Sequence, residues 1–272
     1  MSIKSFSPKN GLAVAKARLV ESKKMLIKTA LKFLLEHNGF RPAAMHLIIG
    51  LSGAGKSTFF RTVGIDYQIN KEGHDRAGIW YSEESENDFE VHFVKTSMAE
   101  AYFLNKDINF YSEVDGWESK KADFAKLEKM FKESDIVFFD NLTTSSFYEG
   151  SYNEQVYFLR KLKGLVKKYK KPLVVFAHTD SKAKEGAKAL IEQNDIRGPK
   201  TICNLSEFVY ILQQFHVGSE IKSTLRIVKN RGQEVETKVF FLNYDKKSST
   251  YNDAVKLPFS QFKMFFEQRN KL

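Results

Sequence analysis

Four short apolar runs punctuate the chain: Leu47-Ile48-Ile49, Ile79-Trp80-Tyr81, Ile136-Val137-Phe138-Phe139 and Leu173-Val174-Val175-Phe176-Ala177. Runs of this length, unbroken by polar positions, predict strands buried on both faces, as in a parallel sheet covered by helices. Each is followed by a residue that can do chemistry or turn the chain: Gly50, Ser82, Asp140 and His178. Helical periodicity fills the gaps. After the glycine-rich stretch that follows the first run a helix is predicted to about Thr62, another in the region of Phe89, Phe93, Met98 and Tyr102, and an amphipathic one over 117–132. From Glu154 to Lys171, Phe158, Leu159, Leu162, Leu165, Val166 and Tyr169 recur at helical spacing until Pro172 stops the helix. Residues Ile108 to Val114 alternate like a short strand.

Outside this alternation the pattern changes. Gly11 to about His37 reads as a long amphipathic helix ending before Asn38-Gly39, and Pro42 marks entry to the core. Thr179 to Asn194 is a long polar loop carrying Lys182, Lys184 and Lys188. Glu207 to Leu212, Leu225 to Lys229 and Val239 to Tyr244 predict antiparallel additions, and a last short helix spans roughly Pro258 to Gln268. The expectation is an N-terminal helical appendage over 1–41 and one α/β domain over 42–272. That domain is a doubly wound, mainly parallel sheet flanked by helices, with antiparallel C-terminal strands and its site along the carboxyl edge.

Composition narrows the partners. The excess of 43 Lys+Arg over 33 Asp+Glu, a net charge of +10, favours an anionic partner. No apolar run approaches the length of a bilayer span, and the first ten residues lack the apolar core of a signal peptide, so a soluble, cytoplasmic protein is expected. The single cysteine, Cys203, reads as a small buried apolar residue.

The chemistry concentrates at Gly50-Leu51-Ser52-Gly53-Ala54-Gly55-Lys56-Ser57-Thr58, which fills every position of the G-x-x-x-x-G-K-[ST] pattern between a strand and a helix. Glycines let successive backbone N–H groups turn inward, and the helix adds its positive end, so the stretch forms an anion cradle. Lys56 supplies a mobile charge for outer phosphates, and Ser57 offers a hydroxyl to Mg2+. Asp140, at the end of its apolar run, is suited to hold that ion through water. Glu83 or Glu84, after the second strand, could aim and deprotonate an attacking water, or merely favour a helix start. His178 could sense a terminal phosphate or simply cap its strand. Lys229 and Arg231, two apart on a strand, project to one face and could meet one phosphate group, or stand solvated at a strand end.

In that order, these residues resemble the RecA-type ATPases: Gly50 to Ser57, Ser82-Glu83-Glu84-Ser85, Asp140-Asn141, Phe176-Ala177-His178, Asp195-Ile196-Arg197-Gly198-Pro199 and Leu225 to Gly232. The similarity covers about 42–245 and points toward the small RepA-type hexameric helicases, the DnaB-type helicases and the KaiC/RadA group. It implies ATP and Mg2+ as cofactors and Glu83 as the water-activating carboxylate. It also implies Lys229 and Arg231 as cations reaching a neighbouring subunit's phosphate, with Arg197 a second candidate finger. By the same likeness the chain forms a homo-oligomeric ring, a hexamer, and acts on single-stranded DNA without a membrane. Its channel loops would be Leu142 to Asn153, with Phe147, Tyr148 and Tyr152, and Ser181 to Asn194. The role expected is a small replicative helicase or helicase-like motor of a phage, plasmid or mobile element, working with replication or repair proteins. The alternatives are a KaiC/RadA-like remodelling ATPase and a nucleotide-gated DNA clamp with weak hydrolysis. His178 stands where DnaB-type proteins carry glutamine, and no primase or zinc-binding domain is recognisable.

Overall fold

In the computed structural model, the residues described are 40–69, 77–85, 88, 108–180, 190–217, 220–231, 238–245 and 250–269. The helices expected over 11–37 and around Phe89 to Tyr102 fall outside them, as do Lys182, Lys184 and Lys188. The four apolar runs form β1 (Met45–Gly50), β2 (Ala77–Tyr81), β4 (Ile136–Asp140) and β5 (Leu173–His178), and β3 (Ile108–Ser112) is the expected short strand, ending two residues before Val114. The helices between them are α1 (Lys56–Ile69), the single turn α2 (Glu113–Gly116), α3 (Lys120–Glu133), α4 (Tyr152–Tyr169) and the short α5 (Thr201–Leu205). The chain then makes β6 (Phe208–Val217), β7 (Glu220–Asn230), β8 (Lys238–Asp245), β9 (Thr250–Pro258) and α6 (Phe259–Arg269).

One nine-stranded sheet results, in the order β3-β2-β4-β5-β1-β6-β7-β8-β9. Pairing is parallel from β3 through to β6 and antiparallel from β6 through to β9. The doubly wound sheet with antiparallel C-terminal strands is therefore as the sequence predicts, with differences in the extent and number of its elements. Helix α1 runs on to Ile69, past Thr62. Strand β6 extends to Val217 and closes the parallel set by pairing with β1 before it turns antiparallel. Helix α3 starts at Lys120 because Ser119 caps it, accepting the Ala122 N–H. Strand β9 was not foreseen.

Alternation along the strands sorts the core into two layers. Ile48, Ile79, Phe138, Val174 and Phe176 face one side, where Phe59, Phe60 and Val63 of α1 cover them. Leu47, Ile49, Trp80, Val137, Phe139 and Val175 face the other, against Leu127 and Phe131 of α3, Leu159 and Leu162 of α4, and Ile202 of α5. Phe40 already packs in the first layer. Helix α4 shows why these segments stop where they do. Ser151 and Glu154 form a capping box at its start, and Lys170 adopts a left-handed φ of 55° at its end, just before Pro172. No described helix is long and apolar enough to cross a membrane.

Candidate phosphate-binding site

Strand β1 lies between β5 and β6, while the next strand in sequence, β2, lies beyond β4, so the chain leaving β1 opens a crevice at the carboxyl edge. The loop from Gly50 to Gly55 fills that position, and two of its glycines carry the conformation that curls it: φ is +77° at Gly53 and +84° at Gly55. Gly50 is needed for a different reason. A Cβ there would stand 2.5 Å from the backbone oxygen of Leu212 on β6, whereas a Cβ on Gly53 would meet nothing within 4 Å. The loop is thus closed on its sheet side and open at Gly53, as a phosphate cradle requires.

Lys56, 5% exposed, reaches back under the loop. Its Nζ donates to the carbonyl oxygens of Leu51 at 2.8 Å and Gly50 at 3.2 Å, and to His178 Nδ1 at 2.8 Å. Because an ammonium has no acceptor, Nδ1 must accept, which places the imidazole proton on Nε2. That nitrogen lies 3.1 Å from Glu83 Oε1 and donates to it. Lys56, His178 and Glu83 therefore form one directional chain, Lys56→His178→Glu83, drawn from α1, β5 and the end of β2. The bond from His178 is the main influence that holds the Glu83 carboxyl below the usual range, and Thr144 and Lys56 add to it.

Asp140 sits beside this chain, 2% exposed, with Oδ2 lacking any hydrogen-bond partner and Ser57 close enough to favour its ionised form. Burial, reinforced by Glu83, drives its pKa upward, and Lys56 and Ser57 oppose the rise. Burial likewise pulls Lys56 downward against the pull of Asp140 and Glu83. An orphaned, buried carboxylate oxygen next to a hydroxyl suits a hard cation with oxygen ligands, so Ser57 and Asp140 fit Mg2+. Among the described residues no cluster of three or more His, Cys, Asp or Glu could hold a metal. A cation here would thus depend on phosphate and water for its other ligands.

The remaining candidates divide. Glu84 is turned differently from Glu83: its backbone oxygen accepts from Ser112 on β3, its Oε2 is buried without a partner, and it adds only a minor upward push on Asp140. Arg197 is exposed, but its N–H is bonded to the His178 carbonyl at 3.0 Å, so it flanks this same edge. Lys229 and Arg231 lie elsewhere. Their side chains donate to the carbonyls at the end of α5, Lys229 to Cys203 at 2.6 Å and Arg231 to Asn204 at 3.1 Å. By register, Asn230 pairs with Phe208, which is level with His46, four residues below Gly50. At the rise of a strand, that sets them about 13 Å or more toward the amino edge.

The expected stacking loop needs correction. Leu142–Thr144 and Ser146–Tyr148 are two 3-10 turns, and Phe147 and Tyr148 are buried at 3% and 5% exposure. Phe147 stacks on Phe158 of α4 with ring centroids 4.6 Å apart. Neither ring is free to meet a base; Tyr152, 61% exposed, is. The turn also carries residues that the sequence did not single out. The Thr143 hydroxyl accepts the His178 N–H, and the Thr144 hydroxyl stands 2.8 Å from Ser82 Oγ.

The sheet order, the loop and the edge constellation together decide the fold. It is RecA-like. A KaiC-like protein of the hyperthermophilic archaeon Pyrococcus horikoshii superposes with a TM-score of 0.64 over 85% of this chain and 98% of that one. At 17% identity the likeness is one of fold. No protein-family model matches the chain, and no curated protein matches its sequence. Within the RecA-like fold, the site described above occupies the carboxyl edge of the parallel strands.

Proposed function

We propose that the protein is a Mg2+-dependent ATPase in which Glu83 is the general base, and that it works as a ring of identical subunits on single-stranded DNA. The observation that carries this reading is the convergence on one edge of the cradle, the Lys56→His178→Glu83 chain and the unpartnered Asp140 oxygen. A bound Mg2+ would supply charge neutralisation at the phosphates, held by Ser57 and Asp140. Lys56, freed from the Gly50 and Leu51 carbonyls, would bind the outer phosphates. Glu83, kept ionised by His178 at one oxygen, would accept the proton of an attacking water. His178 touches both groups, so occupancy of the cradle by phosphate, which competes for Lys56, is felt at Glu83.

The DNA part rests on the +10 charge and on exposed Tyr152, with stacking by Phe147 and Tyr148 removed from it. The test compares Glu83→Gln and Lys56→Ala for ATP affinity and turnover, with and without an oligonucleotide. Glu83→Gln should bind ATP normally and lose hydrolysis, while Lys56→Ala should lose binding. Normal turnover in both variants overturns the ATPase reading, and turnover indifferent to DNA at low salt overturns the DNA part alone.

A further inference from the structure

Helix α4 carries a glycine that the fold does not use. Gly164 lies in the interior of the helix Tyr152–Tyr169 and is exposed, and a Cβ there would meet nothing within 4 Å among the described residues. Neither a turn, nor close packing, nor a left-handed backbone requires it. Glycine inside a helix is destabilising relative to alanine, so the position carries a penalty that no contact within the described chain offsets. A bare stretch of helix backbone suits the close approach of something from outside the chain.

What surrounds that backbone is positive charge. On a helix the surface neighbours of a residue are those three and four positions away, and for Gly164 these are Arg160, Lys161, Lys167 and Lys168. From Arg160 to Lys171 the chain has no carboxylate of its own. Among the described residues, the carboxylates that meet these four cations come from other elements: Glu128 of α3 accepts from Lys168 at 2.6 Å, and Glu207 lies 3.5 Å from Lys167. Lys161 is held differently, its Nζ 4.3 Å from the centre of the Phe124 ring on α3 and 5.3 Å from that of Tyr157. Arg160 is exposed. Tyr157, Lys161, Gly164 and Lys168 follow one another by four, three and four residues, which puts them on one face, and Tyr157 is 63% exposed. That face has an aromatic ring at one end, bare backbone in the middle and cations on both sides of it.

We propose that this face of α4 binds single-stranded nucleic acid, with a phosphate seated over Gly164 among Arg160, Lys161, Lys167 and Lys168 and a base stacked on Tyr157. Charge selects the partner. A second copy would bring another chain of net charge +10 against the same cations, whereas a phosphodiester strand brings a negative charge with every nucleotide and releases its counterions on binding. A basic track beside an exposed ring is what sequence-independent binding of single strands uses, because every base has a face to stack. This rests on the DNA part of the reading above and moves it from the turn after β4, where Phe147 and Tyr148 are buried, to the exposed face of α4. It is independent of the ATPase part.

The experiment titrates the full chain into a fluorescent oligodeoxythymidine, read by anisotropy at several salt concentrations. Gly164→Leu is the decisive variant, because leucine is the better helix former and the position has room for it. Its urea midpoint should equal or exceed that of wild type, while its affinity for the oligonucleotide falls by about tenfold, the loss of one hydrogen bond to a charged group. Tyr157→Ala should lose about fivefold to a hundredfold, the range of one stacked base, and Tyr157→Trp should retain binding. Arg160→Gln and Lys161→Gln should each flatten the slope of log affinity against log salt by about 0.7, whereas Tyr157→Ala should leave that slope unchanged. ATP turnover without DNA should be the same in all of them. Wild-type affinity in either Gly164→Leu or Tyr157→Ala overturns the proposal, and if the wild-type chain still binds the oligonucleotide, the DNA reading stands with its site elsewhere. A lowered midpoint in Gly164→Leu would show that the fold itself needs the glycine, and a smaller mass by light scattering with the oligonucleotide still bound would give the face to a second copy; each overturns it equally. A wild-type chain that binds no oligonucleotide at low salt removes both this site and the DNA reading.

Discussion

At the scale of single residues, the molecule handles two buried titratable groups in opposite ways. Asp140 is buried at the mouth of the site, where a cation can neutralise it, whereas His46 is buried 0% exposed in the middle of β1, where nothing can. His46 accepts the Arg41 N–H at Nε2, leaving Nδ1 to donate to the Tyr210 hydroxyl 3.3 Å away, and it stacks flat on Phe208 with centroids 4.4 Å apart. Burial, aided by the charge of Arg41, pulls its pKa down to about 3. The folded chain therefore refuses a proton that the unfolded chain accepts below its ordinary value near 6.5. Stability is full above that pH and drains away as pH falls from 6.5 toward 3. At pH 5 the loss from this one group should be roughly 2 kcal/mol. Urea unfolding at pH 7.5 and pH 5 should show His46→Gln, which keeps an acceptor and a donor without titrating, losing less stability than wild type between the two. Equal losses would overturn the assignment. That Lys56, Ser57 and Asp140 meet at one edge of the sheet was legible in the sequence from their type and spacing. Thr143 was not, because a hydroxyl in a turn carries no signal until the fold sets the His178 N–H beside it. His46 was hidden too, since an apolar run says nothing about which nitrogen meets which backbone group.

At the scale of elements, the parallel strands announced themselves and the antiparallel ones did so only in part. Continuous apolar runs reflect burial on both faces, and β1, β2, β4 and β5 have it. Strand β9, Thr250–Pro258, contains Asn252, Asp253 and Lys256, residue types depleted in strands, and its extended form comes from pairing along β8. Arg226 was missed for a similar reason. Its guanidinium is buried against the Ile191 carbonyl and lies 5.5 Å over the Phe259 ring, contacts supplied by distant segments. Strand β9 nevertheless supports the site. Its Tyr251 N–H donates to the Thr62 hydroxyl on α1, its own hydroxyl donates to Ser223 on β7, and that oxygen would lie 2.5 Å from a Cβ on Gly55. Tyr251 thus backs the last glycine of the loop. Tyr251→Ala should destabilise the fold by about 3–5 kcal/mol, the usual cost of deleting a buried aromatic ring, and weaken ATP binding as the loop loses its backing. Tyr251→Phe should retain most of both. Chemical denaturation with parallel nucleotide titration checks this, and a Tyr251→Ala protein of wild-type stability would refute the buttress.

At the scale of the whole molecule, the decisive geometry is the separation of the loop from Lys229 and Arg231. Both cations lie toward the amino edge of the sheet, held against the end of α5, and the strands between them and Gly50 are rigidly paired. They cannot reach their own subunit's cradle by side-chain rotation. Arg231 is also fixed through its backbone, its N–H donating to the Glu207 carbonyl at 2.9 Å and its carbonyl facing the Arg41 guanidinium at 3.5 Å. If these cations act on a phosphate, that phosphate belongs to another copy of the chain. A cation supplied in trans can accelerate phosphoryl transfer by about 10³ to 10⁵ where such fingers have been measured. Activity should then rise with protein concentration as subunits assemble. The sharpest check mixes Arg231→Ala subunits, whose cradle is intact, with Lys56→Ala subunits, whose cations are intact. Each alone should be inactive, and the mixture should recover turnover because a cradle from one meets an arginine from the other. An Arg231→Ala protein with normal turnover, or a mixture no more active than its parts, would show that the site is complete within one chain, and Arg197, already bonded beside His178, would become the cation to test.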